Sequence, residues 1–246
     1  MSEYRFIEDL HNVHKGEEIW VLGSGPSLDD FPDNFFDEKH RIAIAEAWSM
    51  IAFPDCTYTA FSQGCKKLLD YVLENRRHLL HKHIVRITYA LLEKGIFIGP
   101  EPIYLRLSSR IDLIRDHDID IRKEYFSSLA KNLIDGTPIS YASSGTTIHT
   151  EIQAAIVMGA KKVTLAGCEV KLLKFQAHAR KRGMDKKEYS CPPKDGYSDA
   201  LVAGNSPGQK RMKAGTAFLA KIMKPYGVQI ARYYYGKGYE EIDLGN

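Results

Sequence analysis

"IWVLGSGPSL", residues 19–28, carries four apolar residues straight into Gly-Ser-Gly-Pro-Ser. The run has the length and composition of a buried strand, and the small residues behind it form a tight turn. Two readings follow. Gly23, Ser24, Gly25, Pro26 and Ser27 are either a turn that leaves a strand, or a loop whose free amides hold phosphate oxygens. The spacing is neither G-x-G-x-x-G nor G-x-x-x-x-G-K-[ST].

Further apolar runs alternate with helix-like segments. Strands are expected at 41–45, 56–61, 83–91, 139–145, 163–167 and 228–235, and 102–107 is a strand or an excursion. Helices are expected at 65–78, 121–134, 146–158 and 208–224, and Gly159 stops the third. This alternation reads as an α/β, Rossmann-like fold: a mostly parallel sheet with helices on both faces. Residues 1–246 are read as one domain. A segment of contrasting composition, Lys171 to Lys213, holds eleven Lys/Arg against four Asp/Glu and reads as a basic loop or lid.

Composition narrows the class. The chain has 246 residues, 44% hydrophobic, with a net charge of +3. That is enough for a solid core and too mild a charge to point to nucleic acid. No apolar run reaches the ~18 residues of a membrane span, and the N-terminus has no signal-peptide pattern. A cytoplasmic location is expected. The four cysteines are scattered, with no metal-binding spacing. The histidines of RRHLLHKH (76–83) sit among Arg76, Arg77 and Lys82 and read as a basic helix end.

Polar residues cluster where strands end. Glu46 follows the second strand, where ribose hydroxyls are gripped in dinucleotide folds. Ser62 and Gln63 follow the third. Ser144, Gly145 and Thr146 open a helix, where hydroxyls either cap the helix or meet an anion. His149, one turn in, reads as a buried structural histidine. Glu169 ends the VTLAG strand as a candidate acid–base residue. His178 in the basic segment is a second candidate.

Two distant segments together carry a resemblance. "VLGSGPSLDDFP" resembles the opening of the bacterial sialyltransferases of glycosyltransferase family 42, and equally that of MptE-like domains. The latter occur in archaeal 6-hydroxymethyl-dihydropterin diphosphokinases and in flagellin-glycosylation proteins. "SSGTTIHTEIQAAIVMGAKKVTLAGCEV" is similar to the second hallmark of the same group. The resemblance implies a nucleotide lying over Gly23–Ser27 and facing Ser144–Thr146. It implies Lys171 as a cation for a leaving phosphate, in place of the family's tyrosine. The chain also departs from the pattern. The sialyltransferase "GHS" histidine is replaced by Asn205, a nearby arginine by Tyr141, and the acidic D-x-D of the diphosphokinases by Ala60-Phe61-Ser62-Gln63.

The expectation is a nucleotide-binding transferase using a nucleotide-sugar donor, with Glu169, Lys171 and His178 as catalytic candidates. Pyrophosphoryl transfer to a pterin or nucleoside acceptor, with Mg²⁺, is the alternative, and a non-catalytic nucleotide-binding protein a third reading. No protein metal site and no nucleic-acid partner are expected.

Overall fold

The computed structural model describes residues 4–46, 49–62, 70, 73–75, 77–88, 91, 93–95, 101–113, 120–144, 146–169 and 207–242. The expected helix at 65–78 and most of the basic segment fall largely outside them. Residues 207–213 of that segment are described, and they begin a helix.

Ten strands form one sheet among the described residues. They are β1 (Arg5–Phe6), β2 (Glu18–Leu22), β3 (Ile42–Glu46), β4 (Tyr58–Ser62), β5 (His83–Thr88), β6 (Ile103–Asp112), β7 (Tyr141–Ser143), β8 (Lys162–Ala166), β9 (Gln229–Tyr234) and β10 (Gly238–Glu241). The order is β1-β6-β5-β4-β3-β2-β8-β9-β10, with β7 paired to the far part of β6. Every pairing is parallel except β9 with β10. The helices are α1 (Ser49–Ala52), α2 (Asp120–Asp135), α3 (Ile148–Val157) and α4 (Pro207–Met223).

The α/β reading therefore stands, with shifts at element ends. The 83–91 strand stops at Thr88, and 102–107 is a strand that runs on to Asp112. The third strand begins at Tyr58, because Thr57 turns its hydroxyl to the Arg41 carbonyl and the Ala43 amide. The short β1 and β10 are additions at the sheet's edges.

Side chains alternate across the sheet as a pleat requires. Ile19 and Val21 of β2 face a core shared with α2, α3 and α4, while Trp20 and Leu22 face a second core. Helix α3 is the centre of the first, with all ten of its residues buried, polar ones included. It packs on β2, β3, β7 and β8 and touches α2 and α4. It ends as expected at Gly159, where φ is +94°. The Gly159 amide donates to the Ile156 carbonyl and the Ala160 amide to that of Ala155. This double bond pattern satisfies the orphan carbonyls of a helix end.

The second face carries short elements. The segment from the 3₁₀ turn Pro26–Asp30 to Phe36 brings Phe31, Phe35 and Phe36 against Trp20 and Tyr233. Arg41 lies over the Phe35 ring. No helix among the described residues is long and apolar enough to cross a membrane.

Trp20 is 4% exposed and holds this aromatic layer to the sheet. Trp20→Ala should cost about 3–5 kcal/mol, the range for emptying a large aromatic site. Urea denaturation checks this, and a loss below about 1 kcal/mol contradicts the packing described.

Candidate functional site

Strand order reverses between β2 and β8. Strands β2 to β6 run outward in one direction, and β8 and β9 add on the other side of β2. Open α/β sheets bind ligands at the carboxyl edge of such a switch point, because the loops there diverge and leave a crevice. A cavity of about 240 Å³ occupies this place. Its wall combines Gly23, Ser24 and Gly25 after β2, Glu46 at the end of β3, Thr146 and Ile148 at the start of α3, Gly167, Cys168 and Glu169 after β8, Met212 and Thr216 of α4, and Arg232 of β9. A larger cavity, about 350 Å³, sits by the start of β9 and the end of α4, with Lys224 as its one charged lining residue. It brings together no comparable set of polar groups.

The loop after β2 differs from an open cradle. The β2/β8 pairing continues past the strands: the Gly23 amide donates to the Ala166 carbonyl at 2.8 Å and the Gly25 amide to the Gly167 carbonyl at 2.7 Å. The Ser27 amide then donates to Glu169 Oε1 at 2.8 Å. Three amides expected to face phosphate are thus held by the protein's own β8 loop. The glycines have a matching reason. A Cβ on Gly25 would lie 1.9 Å from Glu169 Oε2 and 2.6 Å from the Gly167 carbonyl oxygen. The Ser27 hydroxyl, expected to contact ligand, is buried with no hydrogen-bond partner, and Pro26 is buried at the start of the 3₁₀ turn.

Glu169 is turned into this seam. Oε1 accepts from Ser27, and Oε2 is buried without a partner. Next to it, burial pushes the Cys168 thiol well up, with the Glu169 charge adding to the effect. A thiol kept protonated is a wall of the pocket and not a nucleophile.

Glu46 anchors the opposite wall and keeps 15% side-chain exposure. Its Oε1 accepts from the Thr147 hydroxyl at 2.7 Å and lies 3.8 Å from Arg86 Nη2. Arg86, 3% exposed on β5, donates through Nη1 to Glu151 Oε1 at 3.1 Å, and Glu151 on α3 is fully buried. Burial pushes the Glu151 carboxyl well above the ordinary carboxylate range, while Arg86 pulls it back. This network was missed in the sequence, where a lone Arg in HIVRIT and a lone Glu in an apolar helix were its signals.

The hydroxyl that meets the helix start is that of Thr146, whose Oγ1 accepts from the Ile148 amide at 3.4 Å. Helix α3 begins at Ile148, and Thr147 is helical in its backbone and makes no side-chain cap bond. The Ser144 amide donates instead to His149 Nδ1 at 2.9 Å. His149 must then carry its proton on Nε2, which reaches the Met212 carbonyl at 3.1 Å. The histidine is buried and structural, as read, and it ties α3 to α4. The Tyr141 hydroxyl donates to Glu8 Oε1 at 3.1 Å.

Of the sequence candidates, Gly23, Ser24, Gly25, Glu46, Thr146 and Glu169 meet at the cavity. Of Ser62 the backbone alone is described, and Gln63, Gly145, Lys171 and His178 lie outside the described residues. Arg232 was not singled out in the sequence, although it is the one cation in the apolar run VQIARYYY. Among the described residues, no three His, Cys, Asp or Glu side chains gather as metal ligands.

No protein-family model matches the chain, and no curated protein does. Five chains of solved structures match. The sialyltransferase CstII from Campylobacter jejuni, in complex with the substrate analogue CMP-3FNeuAc, aligns at a TM-score of 0.48 and 12% identity, over 89% of this chain and 82% of that one. The same enzyme with cytidine-5'-monophosphate aligns at 0.46 and 12%, over 89% and 80%. The sialyltransferase CST-II with a trisaccharide acceptor and CMP aligns at 0.42 and 11%, over 89% and 82%.

A Cβ at Gly25 has no room between two loops that are already bonded. Gly25→Ala should therefore destabilise the ligand-free protein by about 1–3 kcal/mol, a fall in Tm of roughly 2–10 °C for a chain of this size. Calorimetry checks this. An unchanged Tm means that the loop is an open cradle and contradicts the seam.

Proposed function

We propose that the switch-point cavity binds a nucleotide, and that the protein is a transferase of glycosyltransferase type that uses a nucleotide-sugar donor. The observation that carries this reading is the meeting of six sequence candidates in one cavity at the carboxyl edge of the sheet. The two segments that resemble family 42 sialyltransferases, far apart in the chain, both contribute to the wall of that cavity.

The lining suits the parts of such a ligand. Ile148, Leu165 and Met212 offer apolar surface for a base. Glu46, held by Thr147 and Arg86, is a preorganised acceptor for ribose or sugar hydroxyls. Ser24, Thr146 and Thr216 supply hydroxyls, and Arg232 supplies positive charge for the phosphate end. In the transfer itself, the bond from the anomeric carbon to the donor phosphate breaks. The acceptor hydroxyl oxygen bonds that carbon and gives up its proton. His178 is the proposed base and Lys171 a proposed cation for the departing phosphate. Glu169, whose Oε1 accepts from the Ser27 amide in the loop seam, is assigned the task of ordering that loop.

A thermal-shift panel of CMP, UMP, AMP, GMP, their sugar derivatives and triphosphates, with and without Mg²⁺, tests the reading. A ligand at a hundred times its Kd stabilises by about 2.7 kcal/mol, or about 5–10 °C here. The expected result is stabilisation by one monophosphate and its nucleotide sugar without added metal. Stabilisation by ATP alone, and only with Mg²⁺, points to pyrophosphoryl transfer. No stabilisation by any compound overturns nucleotide binding.

A further inference from the structure

The cavity is asymmetric in charge. On the β2/β8 side, the amides of Gly23, Gly25 and Ser27 are spent on Ala166, Gly167 and Glu169. The last of these acceptors is a carboxylate, so the protein has placed a negative group of its own where the motif suggested a phosphate. A phosphate brought to the same amides would meet like charge at contact distance. Glu46 puts a second carboxylate on the β3 side.

Arg232 is the one cation among the described residues of the wall. It lies on β9, beside Leu165 of β8 and opposite Glu240 of β10. Its Nε is buried and has no hydrogen-bond partner. Among the described residues it forms no ion pair, although Glu240 stands opposite it on β10. A guanidinium that gives up water at Nε without gaining a protein acceptor there carries a desolvation cost. An anion entering the cavity would recover that cost, and the planar fork of donors suits two phosphate oxygens at once.

We infer that Arg232 is the phosphate-binding residue of the cavity, and that Glu169, seated in the 23–27 loop, keeps phosphate out of that loop. Together they set the direction in which a ligand lies. The phosphate faces β9, and the neutral sugar or base end faces Gly23–Gly25 and Glu46. This rests on the nucleotide reading above for the identity of the ligand, but not for the anion site itself.

Titration calorimetry separates the two. The probes are CMP, UMP, AMP and GMP, the matching nucleosides, and inorganic pyrophosphate. Arg232→Gln should weaken the bound monophosphate at least tenfold, abolish pyrophosphate binding and leave the nucleoside unchanged. Arg232→Lys keeps the charge without the fork and should fall between. Glu169→Gln keeps an acceptor for Ser27, removes the repulsion and should tighten the monophosphate several-fold. Circular dichroism and melting curves identify any variant that has lost its fold, and the lysine variant guards against loss of the glutamine one. Monophosphate binding unaltered in Arg232→Gln, or nucleoside binding lost in equal measure, overturns the role of Arg232. Unaltered or weaker monophosphate binding in Glu169→Gln overturns the exclusion. Wild-type binding of pyrophosphate alone, lost in Arg232→Gln, sinks the nucleotide reading and leaves the anion site standing, whereas binding of none of the probes sinks both.

Discussion

Two loops at the carboxyl ends of adjacent strands are hydrogen-bonded to each other, and the site depends on that seam. Three amides of the loop after β2 donate in turn to the Ala166 carbonyl, the Gly167 carbonyl and the Glu169 carboxylate. The parallel β2/β8 pairing is thereby extended through the point where strand order reverses, and the mouth of the crevice is set by backbone geometry. The glycines are needed because the loops touch: Gly167 has φ +63°, and a Cβ on it would lie 2.6 Å from Leu28 Cγ. The seam also converts a motif that resembles an anion cradle into a closed structural joint, which moves the cavity's positive charge to β9.

The far wall is held by charge. Glu46, Arg86 and Glu151 bring β3, β5 and α3 together through two carboxylates around one guanidinium. Removing one member of a buried pair costs about 3–5 kcal/mol, because the partner is left without compensation. The same network fixes Glu46, whose Oε1 also takes the Thr147 hydroxyl. His149 adds a cross-tie from the Ser144 amide to the Met212 carbonyl of α4. Opposite walls of the cavity are thus connected through the interior of α3.

Local pattern made much of this legible. IWVL and VTLAG read as buried strands because apolar runs bounded by glycine have few other uses, and Gly159 marked the end of α3. Glu46, Thr146 and Glu169 stood out because each falls where a strand ends or a helix begins. What local pattern misses is pairing between distant residues. Nothing in GSGPS shows that Glu169 occupies the Ser27 amide, since that bond joins residues 142 positions apart. Nor does SSGTT show that the Thr147 hydroxyl goes to Glu46, 101 positions away. Arg232 was invisible for the same reason: an arginine in a strand near the edge of a sheet is ordinary until β8 places the cavity beside it.

The most direct measurement is a crystal structure with the nucleoside monophosphate that the protein binds. The expected result is the phosphate against the Arg232 guanidinium, the ribose near Glu46, and the Ser27 amide still bonded to Glu169. A phosphate seated on the Ser27 amide, with Glu169 driven out of the loop, would contradict it.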